Sequence, residues 1–229
     1  MSPARQPIGL APARRPRAHR EGKSASVLRK ITEPGVNVVA WERSLPEPFV
    51  RALEAHARSA VFGAHRPILS ESLDVAPLLE GVHHETLRAM LHADLSMLVR
   101  AFADVVGTSR MQVGLDAVAD DKCRKFHADY VGIRMLVTYL GPGTQWVYER
   151  DLRRDAMTHE AACIDAANLA IVPDQGRIRS AGLGHVLLLK GDAWPGNMGR
   201  GAVHRSPPIE GTSISRLLFV ATAPPVGMD

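Results

Sequence analysis

The sequence predicts an α+β fold: a double-stranded β-helix (jelly-roll) core with an N-terminal helical part packed against it. Three observations lead there. Residues 45–107 carry apolar side chains at helical spacing, and residues 111–222 carry short β-prone runs separated by Gly, Pro and Asp. Within the β-rich part a His-x-Asp pair, His127 and Asp129, is followed far downstream by His204. Many short strands with turn residues between them suggest a sandwich or barrel.

Each element has its own reason. Residues 1–30 hold eight basic residues and one acid, Glu21; this local +7 leaves residues 31–229 at −3, since the whole chain is +4. Rich in Arg, Pro and Ala and without apolar periodicity, this stretch is expected to be a disordered basic tail. Residues 36–41 (VNVVAW) predict a strand. Pro46 to Phe62 predicts a helix with Phe49, Leu53, Ala57 and Val61 on one stripe. Pro46 and Pro48 sit near its start, where a missing N–H costs little. Residues 75–106 predict one or two further helices, stopped at Gly107. From Met111 onward, strands are expected at 111–118, 122–127, 133–140, 144–149, 168–172, 184–190, 201–205 and 214–222. Residues 31–229 read as one jelly-roll domain with no internal repeat.

The bulk numbers exclude several classes. A chain of 229 residues, 45% hydrophobic and 23% charged, can bury a sizeable core. No apolar run reaches bilayer length, and the N-terminus has no apolar segment of the kind that opens a secretory signal. Two cysteines, Cys123 and Cys163, do not make a disulfide scaffold, so a reducing, cytoplasmic setting is expected. No aromatics interleave with the arginines of the tail. Nucleic acid is therefore not the expected partner, although the tail suits contact with acidic surfaces. The sequence has no nucleophile elbow, Walker phosphate loop, dinucleotide fingerprint or Cys-x-x-Cys pair.

The chemistry concentrates in Cys123-Arg-Lys-Phe-His127-Ala-Asp129. In an extended chain, residues i and i+2 point to one face, so His127 and Asp129 can aim at one point. Imidazole with carboxylate suits borderline divalent metals. His204, 77 residues on, supplies the second imidazole from a short strand leading into a turn. Two histidines and one carboxylate form a facial triad that leaves three coordination positions open. Arg216 follows 12 residues after His204, on the next expected strand, where a guanidinium can pair bidentately with a dicarboxylate.

This order of residues resembles the iron(II)/2-oxoglutarate-dependent oxygenases, notably their prolyl-hydroxylase-like branch. The resemblance covers roughly residues 120–222. It maps His127, Asp129 and His204 onto the metal ligands, Arg134 through Leu140 and Gly184 through Leu189 onto two core strands, and Arg216 onto the cosubstrate anchor. It implies Fe(2+) and 2-oxoglutarate as cofactors and hydroxylation of a substrate as the reaction. Two departures are visible: Gly141-Pro142-Gly143 replaces the usual double glycine, and the link from His204 to Arg216 is slightly long. The wording "FHAD…TYLGPGT" with "VHRSP" is also similar to a bacterial family, domain of unknown function 1826. Its members often sit near zinc-handling GTPases, which keeps Zn(2+) open as the metal, in a protein that sequesters or senses it.

Other residues have two readings each. Cys123 shares a strand face with His127 and Asp129 if the strand is regular; it is either a fourth ligand suited to zinc or a buried small hydrophobe. Tyr139 is either a hydrogen-bond donor to the cosubstrate carboxylate or a core tyrosine. Arg134 has a weaker claim to the same contact. Trp146 and Trp194 either line a pocket mouth or pack in the core. Asn197 and His185 read as turn or packing residues, and His83, His84 and His159 lack a partner pattern.

Overall fold

Alternation along Ile133–Leu140 sets up two faces. Ile133, Met135, Val137 and Tyr139 are buried on one side, among apolar helical residues. Arg134 and Leu136 look the other way, into a cavity. That parity is a direct consequence of the pleat. The protein is described by a computed structural model covering residues 18–57, 68–69, 72–108, 110–120 and 123–224.

In chain order the strands are β1 (Ala18–Gly22), β2 (Val36–Trp41), β3 (Ile68–Leu69), β4 (Gln112–Val118), β5 (Ile133–Leu140), β6 (Gln145–Trp146), β7 (Arg179–Ser180), β8 (Val186–Lys190), β9 (His204–Arg205) and β10 (Arg216–Ala223). The helices are α1 (Glu47–His56), α2 (Glu85–Val106) and α3 (Ile164–Ile171). Seven strands form one sheet in the order β1-β2-β8-β5-β10-β4-β3; three short ones form a second, β7-β6-β9. Among the described residues, only the β1–β2 pairing is parallel. The result is a mixed α+β architecture built on a large, mainly antiparallel sheet.

Helices cover one face of the large sheet. Leu87, Leu91, Leu95, Leu98, Val99 and Phe102 form the inward stripe of α2, and Gly107 ends the helix in the left-handed conformation at φ 73°. Fully burying each leucine contributes about 1.5–3 kcal/mol, so the stripe docks the helix. Leu95→Ala alone would cost about 2–5 kcal/mol. A polar clamp fixes the orientation. Arg43 holds both oxygens of Asp94 on α2, at 2.5 and 2.7 Å, and the Tyr139 hydroxyl donates to Asp94 Oδ2 at 2.5 Å. The small sheet lies over the opposite face, where Trp146 and Ala202 pack on Val38, Ala40, Leu136, Leu187 and Leu189. Among the described residues, no helix is long and apolar enough to cross a membrane.

The strands at 36–41 and 133–140 fall where the sequence places them, and those at 111–118, 184–190 and 214–222 within about two residues. The helix expected at 46–62 is present as Glu47–His56; residues 58–67 lie outside the described ones. The 75–106 stretch resolves into a 3-10 turn at Ala76–Leu79 and α2.

Four expectations are corrected. Residues 18–30 are not tail: β1 pairs with β2, and the 3-10 helix Ala25–Thr32 buries Leu28 and Ile31, apolar residues hidden among the charges. Residues 1–17 lie outside the described residues. The expected strand at 168–172 is the end of α3, which buries Ala167, Asn168 and Ile171 on one face and carries Asp165 in its first turn, a favourable charge there. The expected strand at 122–127 is irregular over Cys123–Phe126, where the Asn168 side chain replaces strand partners: Phe126 N–H donates to Asn168 Oδ1 at 2.8 Å, Asn168 Nδ2 donates to the Arg124 carbonyl at 3.0 Å, and the Cys123 carbonyl accepts from Ser206 N–H at 2.9 Å. The runs at 144–149 and 201–205 shrink to the two-residue strands β6 and β9.

Candidate metal centre

His127 and His204 face each other across an isolated antiparallel bridge. Each backbone N–H donates to the other's carbonyl, at 3.0 and 2.9 Å. Residue 204 is thereby tied both to β6, opposite Trp146, and to His127. The imidazoles lie 4.6 Å apart between centroids. In each ring Nδ1 donates to the carbonyl two residues back: His127 to Lys125 at 2.9 Å, His204 to Ala202 at 3.1 Å. A carbonyl can only accept, so Nδ1 carries a proton; Nε2 then offers its lone pair to a metal when the ring is neutral and donates to Asp129 when the ring is charged.

Both Nε2 atoms point at Asp129. His127 Nε2 is 3.5 Å from Oδ1, and His204 Nε2 is 3.3 Å from Oδ2. One ligand atom from each residue lies within 4.8 Å of the others. Metal–ligand distances of about 2.0–2.1 Å place neighbouring donor atoms about 3.0–3.4 Å apart, so the set closes on a divalent ion with small adjustments. The donors are chemically suited: two imidazoles pre-set in the ligating tautomer by backbone carbonyls, plus a carboxylate. Asp129 is seated by its own backbone, whose carbonyl accepts from Asp192 N–H at 2.8 Å. Gly191 makes room for this, since a Cβ there would meet that carbonyl oxygen at 2.7 Å.

The electrostatics hold the carboxylate ionised. Burial alone would raise the Asp129 pKa, but hydrogen bonds from His127 and His204, with the charge of Arg134, outweigh it and hold the group well below the usual carboxylate range. His127 moves up: burial opposes its protonation, and the hydrogen bonds to Asp129 and to the Lys125 carbonyl win.

The two histidines of the triad line a cavity of about 750 Å³, walled by β4, β5 and β10 on one side and by His127, His204, Arg205 and Thr144 on the other. Arg216 lines it too, although its side chain is only 1% exposed. Its Nη2 donates to the hydroxyls of Thr144 at 3.2 Å and Thr138 at 3.4 Å; its Nε has no hydrogen-bond partner among the described residues. No carboxylate among them pairs with it either, and burial alone pushes its pKa down to about 10. A buried guanidinium with neutral neighbours and an orphaned donor is expensive without an anion. The Gly141-Pro142-Gly143 departure has a role here: a Cβ on Gly141 would meet the Ser215 carbonyl oxygen at 2.5 Å and Arg216 Cγ at 3.1 Å.

The structure therefore brings together His127, Asp129, His204 and Arg216. It does not bring in Tyr139. That side chain shares the parity of Met135 and Val137, faces the helices and donates to Asp94, so its expected contact with a cosubstrate is corrected to a core role. Burial and the Asp94 charge hold its pKa well above the ordinary value. Cys123 is exposed, lines the cavity and stands outside the triad's cluster. Trp146 and Asn197 are buried, and the Asn197 amide donates to the Gly191 carbonyl under the Asp129 turn. Thr138 and Thr144, the hydroxyls at Arg216, escaped the sequence reading. Strand parity from Arg134 would have placed Thr138 on the cavity side.

The sequence matches, over residues 22–221, the family described as "Protein of unknown function (DUF1826)". No curated protein matches it. Solved structures of similar arrangement include the rice dioxygenase for auxin oxidation, at 13% identity over 91% of this chain and 83% of that one, with a TM-score of 0.45. A prolyl-4-hydroxylase from Pseudomonas putida matches at 12% identity over 89% and 94%, with a TM-score of 0.42. A putative oxygenase from Shewanella oneidensis matches at 13% identity over 91% and 90%, with a TM-score of 0.46.

Proposed function

The chain belongs to this DUF1826 family, and we propose that it is an iron(II)/2-oxoglutarate-dependent dioxygenase, built on a double-stranded β-helix, that hydroxylates a substrate held in the cavity. The facing sheets, with the triad between small-sheet and cavity residues, support that fold reading. One observation carries the functional one: the buried Arg216 guanidinium, whose Nε has no hydrogen-bond partner among the described residues, shares a cavity with the two histidines of a three-donor metal cluster. A closed structural zinc site needs four protein ligands, and among the described residues the cluster has three, two of which line a cavity. A site that binds a metal alone gives a buried arginine nothing to do.

When bound, iron and 2-oxoglutarate supply the oxidising chemistry, in which decarboxylation of the cosubstrate drives hydroxylation. The chain's own residues do the rest. His127 and His204 offer Nε2, and Asp129 offers carboxylate oxygen. Arg216, steadied by Thr138 and Thr144, binds the far carboxylate of the cosubstrate and fixes its orientation. Leu136, Leu218 and Val220 give the cavity an apolar wall.

The test is to load oxygen-free protein with iron(II), add 2-oxoglutarate and record the visible charge-transfer band. The expected result is one iron per chain with a band that His127→Ala removes. Zinc at one equivalent with no band would favour a zinc-binding protein without oxygenase activity. No metal under any loading would overturn the reading.

A further inference from the structure

We propose that Arg134 is a positioning residue that keeps Asp129 to a single oxygen on the metal and so preserves an open coordination position. This rests on the metal-site reading above. Asp129 has two oxygens and three polar neighbours. Arg134 Nη1 donates to Oδ2 at 2.6 Å, the oxygen that His204 Nε2 also faces at 3.3 Å, while His127 Nε2 stands 3.5 Å from Oδ1. Arg134 is itself held: its Nε donates to the Thr222 hydroxyl at 3.2 Å, across the β5–β10 register that pairs these two residues. A chain of contacts thus runs from Thr222 through Arg134 to Asp129, and its middle member lines the cavity beside the triad.

The chemistry gives this chain a purpose. A carboxylate free to turn about its Cβ–Cγ bond can chelate a divalent ion through both oxygens. Chelation would take one of the three positions that a facial triad leaves open. A short charge-assisted bond to one oxygen fixes the carboxylate plane and makes that oxygen a poor second ligand. The guanidinium charge also repels the ion, so Arg134 is not there to tighten metal binding. An ordinary wall ion pair would have no effect on how many positions stay open, and that difference can be measured.

The experiment uses the full-length protein with Mn(II), reading metal affinity and the water-proton relaxivity of bound Mn(II), which reports exchangeable waters on the ion. Arg134→Met should retain Mn(II) with equal or tighter affinity, by up to about tenfold, while relaxivity per bound ion falls by about a third, the loss of one of three open positions. Arg134→Lys, which restores a donor, should recover most of it. Thr222→Val, which leaves the guanidinium in place but removes its brace, should give a smaller fall and guards against misfolding of the methionine variant. Unchanged relaxivity in Arg134→Met and Thr222→Val overturns the proposal while leaving the metal site standing. Loss of Mn(II) by Arg134→Met also overturns it, since Arg134 would then be needed for binding itself. Failure of the unsubstituted protein to take up Mn(II) removes the metal-site reading, and this proposal with it.

Discussion

His127 and His204 lie 77 residues apart in sequence and exchange both backbone hydrogen bonds, at 3.0 and 2.9 Å. The pair is thus held by main chain, and each imidazole is oriented by a second main-chain carbonyl. Alanine at either position leaves these backbone bonds intact. His127→Ala and His204→Ala should each lower metal affinity by more than about 100-fold, since disturbing even an outer partner of a ligating histidine costs about 10–100-fold. Equilibrium dialysis measures the loss, and circular dichroism should show an unchanged fold.

Arg216 should behave as a binding residue that costs stability. With the buried charge removed, Arg216→Met should stabilise the ligand-free protein by about 1–3 kcal/mol. The same change should abolish stabilisation by 2-oxoglutarate, which at 100 times its Kd would be worth about 2.7 kcal/mol in the unsubstituted protein. Thermal unfolding with and without the dicarboxylate reads both effects. A destabilised Arg216→Met that still responds to 2-oxoglutarate would remove Arg216 from the site.

Tyr139 should separate cleanly from the cavity. Tyr139→Phe removes one of the donors to Asp94, and a hydrogen bond to a charged group is worth about 1.5–3 kcal/mol. Stability should fall by that order with 2-oxoglutarate affinity unchanged. A shift in that affinity, measured by calorimetry, would return Tyr139 to the cosubstrate.

The pH dependence has two opposite signs. In the metal-free protein Asp129 titrates below its ordinary value of about 3.8, so its contribution is present above that pH and is lost as pH falls. His127 titrates above about 6.5, so its contribution is full below that pH and is lost as pH rises through the raised value. The metal-free protein therefore gains most from this pair between roughly pH 4 and 6.5. Metal binding runs the other way, because a proton competes for Nε2. Affinity should still be rising above pH 6.5; a plateau already reached at pH 6 would contradict the raised His127 value.

Much of this was legible from residue types and spacing. The apolar-rich runs of β2 and β5, interrupted by Asn37 and by Arg134 and Thr138, and the leucine stripe of α2 ending at Gly107 are signals that tertiary context only reinforced. His127 and Asp129 converge as their spacing suggests, although the backbone between them is not a regular strand. That segment was illegible because two of its backbone groups are taken up by one side chain, Asn168, 42 residues from Phe126. The same asparagine sits in α3, where Ile171 and Val172 read as a strand and helical burial prevailed. Tyr139 was a missed parity argument: on β5 it faces opposite to Arg134 and Thr138, so it could not share their cavity. Residues 18–30 were hidden by charge, since two buried residues, Leu28 and Ile31, suffice to fasten a helix whose other face is basic.

The most direct test of the account is anomalous scattering from crystals grown with Mn(II). The account predicts one peak per chain, bonded to Nε2 of His127, Nε2 of His204 and one carboxylate oxygen of Asp129, with the remaining positions facing the cavity that Arg216 lines. A peak elsewhere, or none at saturating Mn(II), would contradict it.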